Sequence, residues 1–129
     1  MTNQAGPTIL LVDDDPLIRG LGRELLENLG YRVETAADGA EALKKYQQMG
    51  GADLVVMDYY MPGLKGGQVL REFKTLDRRA RVLVASGFIS SQEAARLKEQ
   101  GALGLIQKPY RLTELARRIR AALAARPGS

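Results

Sequence analysis

Apolar residues along this chain keep two rhythms, and the two alternate. Thr8-Ile9-Leu10-Leu11-Val12 is β-branched and aliphatic throughout, the mark of a strand buried on both faces. It ends in Asp13-Asp14-Asp15. Asp15-Pro16 then reads as an N-cap followed by proline at the first helical position. Ile18, Leu21, Leu25 and Leu29 recur at spacings of three and four, with Leu26 widening the stripe, so an amphipathic helix follows and Gly30 stops it. Tyr31 to Thr35 alternates apolar with charged positions, which suits an edge strand. Asp38-Gly39 opens a second helix with Ala42, Leu43 and Tyr46 inward, and Gly50-Gly51 closes it.

The run Leu54-Val55-Val56-Met57 is too short for a buried helix and ends in Asp58, with Pro62-Gly63 turning the chain soon after. It predicts a buried strand that delivers a lone carboxylate to a loop. Asp53 reads as a turn residue ahead of it. Gly66-Gly67 precedes a third helix carrying Val69, Leu70, Phe73 and Leu76. Arg81 to Ala85 is a fourth strand, ended by Ser86-Gly87. Ser90 and Glu93 have capping-box spacing for a fourth helix, weakly apolar through Ala94, Ala95 and Leu97, that Gly101 stops. Gly104 to Gln107 is a short fifth strand before Lys108-Pro109, and Leu112, Leu115, Ile119 and Leu123 mark a last helix.

Five strand–helix repeats with short connections predict a parallel sheet covered by helices on both faces and joined by right-handed crossovers. The expected architecture is a flavodoxin-like (βα)5 three-layer sandwich with strand order 2-1-3-4-5. One domain is expected from residue 8 to about 125, between a disordered extension at 1–7 and a short tail at 126–129.

Composition narrows the chemistry. Cysteine and histidine are both absent, which excludes disulfides, thiolate metal sites and imidazole bases. No apolar run reaches membrane-spanning length, and residues 1–7 lack signal-peptide character, so a cytoplasmic protein without membrane contact is expected. The net charge is +4, with Arg111, Arg117, Arg118, Arg120 and Arg126 concentrated at the end. No aromatic residue interleaves these arginines, so they read as a solvated helix face and not as a nucleic-acid surface.

In such sheets ligands bind beyond the carboxyl ends of the strands, where the strand order reverses. The first strand brings Asp13 and Asp14 there, the third Asp58, the fourth Ser86 and the fifth Lys108. Each alone would be a turn former, a cap or a surface residue, and Asp15 is assigned to a helix cap. Together the three carboxylates would repel unless one takes a proton or a hard cation sits among them. Oxygen ligands suit Mg²⁺, with Mn²⁺ as a substitute. Lys108, the Ser86 hydroxyl and the Gly87 amide are donors for phosphate oxygens. The set reads as a phosphoryl-transfer site whose acceptor is the Asp58 carboxylate.

Leu11-Val12-Asp13-Asp14, Asp58-Tyr59-Tyr60-Met61-Pro62-Gly63 with Gly66, Val84-Ala85-Ser86-Gly87 and Lys108-Pro109 occur in the order and spacing of the receiver domain of two-component response regulators. The chain resembles that family over about residues 8 to 125. The resemblance implies that Asp58 is the phosphoacceptor, and that Asp14 ligates Mg²⁺ directly and Asp13 largely through water. It implies that the Tyr60 carbonyl is a further ligand. The Tyr59 backbone, Ser86, Gly87 and Lys108 would hold the phosphoryl group, and the Lys108–Pro109 peptide would be cis. Ser86 and the residue three before Lys108 would form the switch. The family usually has an aromatic residue at that second position, and here it is Leu105. Tyr60 and Phe88 are expected to flank the water route to the phosphoryl group and slow its hydrolysis.

The implied function is a phosphorelay switch, not an enzyme with an external substrate. A sensor histidine kinase or phosphotransfer protein would supply the phosphoryl group. The face of the fourth helix, fifth strand and fifth helix would meet a protein effector, and could also carry a dimer contact. A free-standing regulator and the receiver of a hybrid sensor kinase both fit. A metal-dependent phosphatase is the rival reading, but such enzymes commonly need a second acid two residues after the nucleophile, where this chain has Tyr60. A degenerate receiver that is never phosphorylated would not need the intact acidic set.

Overall fold

The computed structural model describes residues 6–60, 65–87 and 89–124. Its elements run β1 (Thr8–Val12), α1 (Pro16–Asn28), β2 (Arg32–Ala36), α2 (Gly39–Met49), β3 (Leu54–Asp58), α3 (Gly66–Leu76), β4 (Val82–Ser86), α4 (Ser91–Glu99), β5 (Gly104–Gln107) and α5 (Leu112–Ala124). All strand pairs are parallel and the order is β2-β1-β3-β4-β5, as the alternation of elements predicts.

Side chains of the buried strands divide by period two between two cores. Leu10, Val12, Val55, Met57, Val82 and Val84 pack with Tyr46, Phe73 and Leu97 of α2, α3 and α4. Ile9, Leu11, Leu54, Val56, Leu83, Ala85 and Ile106 pack with Leu26, Leu115 and Ile119 of α1 and α5. Residues 54–58 and 82–86 are buried throughout, whereas β2 alternates, as an edge strand should.

Most boundary signals act as expected. Asp15 Oδ1 accepts from the Leu17 N–H, Asp38 Oδ1 accepts from Glu41, and Ser90 with Glu93 forms a complete capping box. Gly30 and Gly101 take φ of 100° and 109°, conformations that side chains rarely adopt, just past the helices they end.

Several expectations need correction. β2 and β4 each lie one residue later than the pattern suggests, so Ser86 is the last residue of β4 and not a loop residue. Gly66 and Gly67 form the first turn of α3, whose N-cap residue Lys65 makes no side-chain cap hydrogen bond and so left no sequence signal. Leu21, Leu29 and Leu76 are exposed by 43%, 47% and 42%, although the periodicity turned them inward. The buried seam of α1 is Gly22 and Leu26. Its glycine lets the helix approach the sheet so closely that an added Cβ would meet Leu11 Cδ2 at 2.8 Å. Leu29 and Leu76 sit at helix ends, past the layer that covers the sheet.

Candidate functional site

Continuing the period-two alternation one step past the strands explains how the site assembles. Asp13 follows Ile9 and Leu11, Asp58 follows Leu54 and Val56, and Lys108 follows Ile106. All three therefore emerge at the carboxyl edge on the α1/α5 side, and there they meet. Lys108 Nζ donates to Asp58 Oδ2 at 2.8 Å and lies 3.6 Å from Asp13 Oδ2. One ligand oxygen each from Asp13, Asp14 and Asp58 lies within 4.8 Å of the others. Asp13 and Asp58 are buried and Asp14 is exposed.

The backbone holds these groups in place. The Asp13 N–H donates to the Ala36 carbonyl, and Asp13 Oδ1 accepts from the Asp15 N–H at 2.9 Å. Arg19 of α1 donates from its guanidinium to the Asp13 carbonyl at 2.7 Å. Sequence reasoning missed that contact, because a guanidinium on a solvent-facing helix turn looks like any other surface arginine. The Lys108 N–H donates to the Ser86 carbonyl at 2.7 Å, tying the loop after β5 to the end of β4. The Lys108–Pro109 peptide is cis.

Burial pushes the Asp58 carboxyl up from its ordinary value, and the Asp13 charge adds to this. The hydrogen bond and charge of Lys108, and the Tyr60 amide, work the other way and do not cancel it. Burial alone would lower Lys108, yet its bond to Asp58 and the two negative charges leave it raised. Tyr110, next to the cis proline, is raised by burial and then by Asp13.

An all-oxygen donor set with one exposed carboxylate fits a hard divalent cation. Lys108 compensates Asp58 and Asp13 only, and Asp14 makes no ion pair among the described residues.

Ser86 lies on the adjacent strand, one residue past Ala85, which is in register with Asp58. It follows Val82 and Val84, so it belongs to the opposite face. Its buried Oγ has no hydrogen-bond partner among the described residues. Ser86 and Leu105 line a cavity of about 350 Å³. The expectation for the Tyr59 backbone is corrected: its N–H donates to the Ala85 carbonyl at 2.8 Å and continues the sheet, and the amide that meets the Asp58 carboxylate is that of Tyr60. Tyr60 is exposed and its ring stands edge-on to Tyr59. Met61, Pro62, Gly63 and Phe88 lie outside the described residues. A cavity of about 600 Å³ around Thr8, Tyr31 and Gly51 is at the amino end of the sheet and away from this cluster.

A flavodoxin-like sheet that gathers three carboxylates and a lysine at its carboxyl edge is the arrangement of the CheY-like receiver class. Comparison with known proteins makes this specific. The family model described as "Response regulator receiver domain" matches residues 9–120, and the chain belongs to that family. It is 36% identical over 110 residues to sensor kinase CckA of Brucella abortus, covering 84% of this chain and 12% of that protein. It is 38% identical over 115 residues to response regulator MprA of Mycobacterium leprae, covering 89% of this chain and 50% of MprA. The chain thus spans half or less of the length of these two relatives. Among solved structures, the CheX-CheY-BeF3-Mg complex of Borrelia burgdorferi contains a similar chain, with a TM-score of 0.85 and 25% identity over 96% of this chain and all of that one. No helix among the described residues is long and apolar enough to cross a membrane.

Proposed function

We propose that this receiver domain is a phosphorylation-dependent switch with Asp58 as acceptor. An Asp58 carboxylate oxygen forms the new O–P bond as the N–P bond of a donor phosphohistidine breaks, and the electron pair leaves with the imidazole nitrogen. Mg²⁺, held by the carboxylates of Asp13, Asp14 and Asp58 and by the Tyr60 carbonyl, would neutralise charge on the incoming phosphoryl oxygens. Lys108 moves its charge from the carboxylate to the phosphoryl group, and the Ser86 hydroxyl and Gly87 amide supply hydrogen bonds. The observation that carries the reading is the joint placement of Lys108, Asp58 and Asp13 beside the exposed Asp14, which makes no ion pair among the described residues.

The donor is a sensor histidine kinase or a phosphotransfer protein. An apolar groove of about 440 Å³ beside Lys108, lined by Ile18, Leu21, Pro109, Tyr110 and Leu112, offers such a partner a surface next to the acceptor. Similarity to both a sensor kinase and a response regulator suits a receiver in either setting. The signal leaves through α4, β5 and α5. Only Leu97 of α4 is buried, so little packing opposes its movement. Arg118 of α5 donates to the Leu105 carbonyl at 2.7 Å, so a shift of β5 is felt in α5.

Incubation with Mg²⁺ and acetyl phosphate followed by intact-mass measurement tests this. One phosphoryl group should add to the wild-type protein and not to Asp58→Asn. Turnover of phosphate esters would favour a phosphatase, and no adduct with any donor would leave a partner-binding module without phosphorylation.

A further inference from the structure

A second polar site lies between α3 and α4. The cleft there has a volume of about 230 Å³, and its lining includes Lys65, Arg71 and Arg96. None of these three cations makes an ion pair or a side-chain hydrogen bond among the described residues. Glu93 is the one acid among the described lining residues, and it is drawn into the helix cap: its Oε1 accepts from the Ser90 N–H at 3.4 Å and lies 3.5 Å from Ser90 Oγ. Glu72 and Glu99 sit on the same two helices and do not line the cleft. Three cations against one committed acid leave two positive charges uncompensated in one concavity.

Gly67 keeps that concavity open. It lies in the first turn of α3 with no positive φ, so the backbone does not require glycine there. Glycine inside a helix costs roughly 0.5–1 kcal/mol relative to alanine. What its absent side chain provides is space. A Cβ at Gly67 would stand 3.4 Å from Gln100 Oε1 across the cleft, and a longer side chain would enter the cleft itself.

We propose that the α3–α4 cleft binds a small phosphoryl-bearing anion, clamped by Arg71 of α3 and Arg96 of α4 with Lys65 adding charge. Two guanidinium groups with planar, paired donors match the several acceptor oxygens of a phosphoryl group. A dianion matches the uncompensated charge. The cleft volume admits the group with a short substituent and excludes larger ligands from full enclosure. An anion held from both helices ties α4, otherwise attached through Leu97, to the layer beside it. Where α4 moves with Asp58 phosphorylation, which rests on the function proposed above, anion and phosphorylation are coupled reciprocally. Binding itself does not depend on that reading.

The test is a pyrophosphate titration of the ¹⁵N-labelled full chain in metal-free buffer, run on wild-type protein and on Asp58→Asn. Saturable amide shifts at Gly67, Gln68, Arg96 and Gln100 are expected in both. Arg71→Gln and Arg96→Gln, both at exposed positions, should each weaken binding about tenfold, the loss of one charge-assisted contact. Gly67→Leu should abolish it. Shifts that rise linearly without saturation would overturn the proposal. So would a saturable response centred on Gly87 and Lys108 that Arg71→Gln and Arg96→Gln leave unchanged.

Discussion

At the scale of single residues, the site combines a charge held at a cost with a hydroxyl held at a cost. Ser86 Oγ is buried and has no partner among the described residues, and an unsatisfied buried hydroxyl costs about 1–3 kcal/mol. Replacing it with a methyl group removes that cost. Ser86→Ala should therefore leave the thermal midpoint of the unphosphorylated protein unchanged or raise it. The same substitution should reduce the acetyl phosphate-induced resonance shifts in α4 and β5, because the donor that would meet the phosphoryl group is gone. A midpoint lowered by several degrees would show that the hydroxyl has a partner after all. Leu105 shares the Ser86 cavity but brings no hydroxyl of its own, so in this chain Ser86 lacks the aromatic partner usual at that position.

At the scale of elements, helices on the α2–α4 side are held unequally. Tyr46 of α2 packs edge-on against Phe73, with ring centroids 5.2 Å apart, and its hydroxyl donates to Asp77 Oδ2 at 2.9 Å just past α3. Burial, and then the bond to Asp77, push the Tyr46 phenol up to about 12. Asp77 is lowered, first by the Arg79 amide and then by Tyr46. The signs of the pH dependence follow. The phenol's contribution is complete below its ordinary value of 10.0 and is lost as pH rises through about 12. The carboxylate's contribution is complete above its ordinary value of 3.8 and is lost as pH falls through its lowered value. Tyr46→Phe should cost about 1–2 kcal/mol in urea unfolding at neutral pH. The gap to wild type should narrow at both extremes of pH, and a gap independent of pH would remove the bond as its cause. Among the described residues α4 shows no comparable tether: its residues are mostly polar and Leu97 is its one buried side chain.

For the whole molecule, metal binding and stability are one equilibrium. A cation that binds the folded cluster and not the unfolded chain should stabilise by about 2.7 kcal/mol at a hundredfold excess over its Kd. Mg²⁺ should thus raise the unfolding midpoint, and Asp58→Asn should remove most of that rise. Without metal, Asp58→Asn should be the more stable protein at neutral pH, because burial disfavours the charged carboxylate beside Asp13. The raised carboxyl sets the sign: its stabilising effect is complete below 3.8 and is lost as pH rises through its folded value, so the advantage of the asparagine should shrink on acidification. Differential scanning calorimetry with and without Mg²⁺ measures both effects.

The sequence by itself determined the element order, the sheet topology and the residues that gather at its carboxyl edge. Strand burial and helix periodicity are local patterns, and parallel βα alternation admits few topologies. Asp13 and Asp58 were legible because each ends an apolar run, and Lys108 because it follows the short fifth strand. Only the tertiary structure decided which donors are free and which are spent. It committed the Tyr59 amide to Ala85 and turned the Tyr60 amide to Asp58. It placed Arg19 on the Asp13 carbonyl and left the Ser86 hydroxyl without a partner among the described residues. It also turned Leu21 outward into the groove beside Lys108 and left Arg71 and Arg96 on a cleft whose described lining holds a single acid, Glu93. Such outcomes depend on how neighbouring strands and helices align in register and depth, a geometry set by packing between segments far apart in the chain.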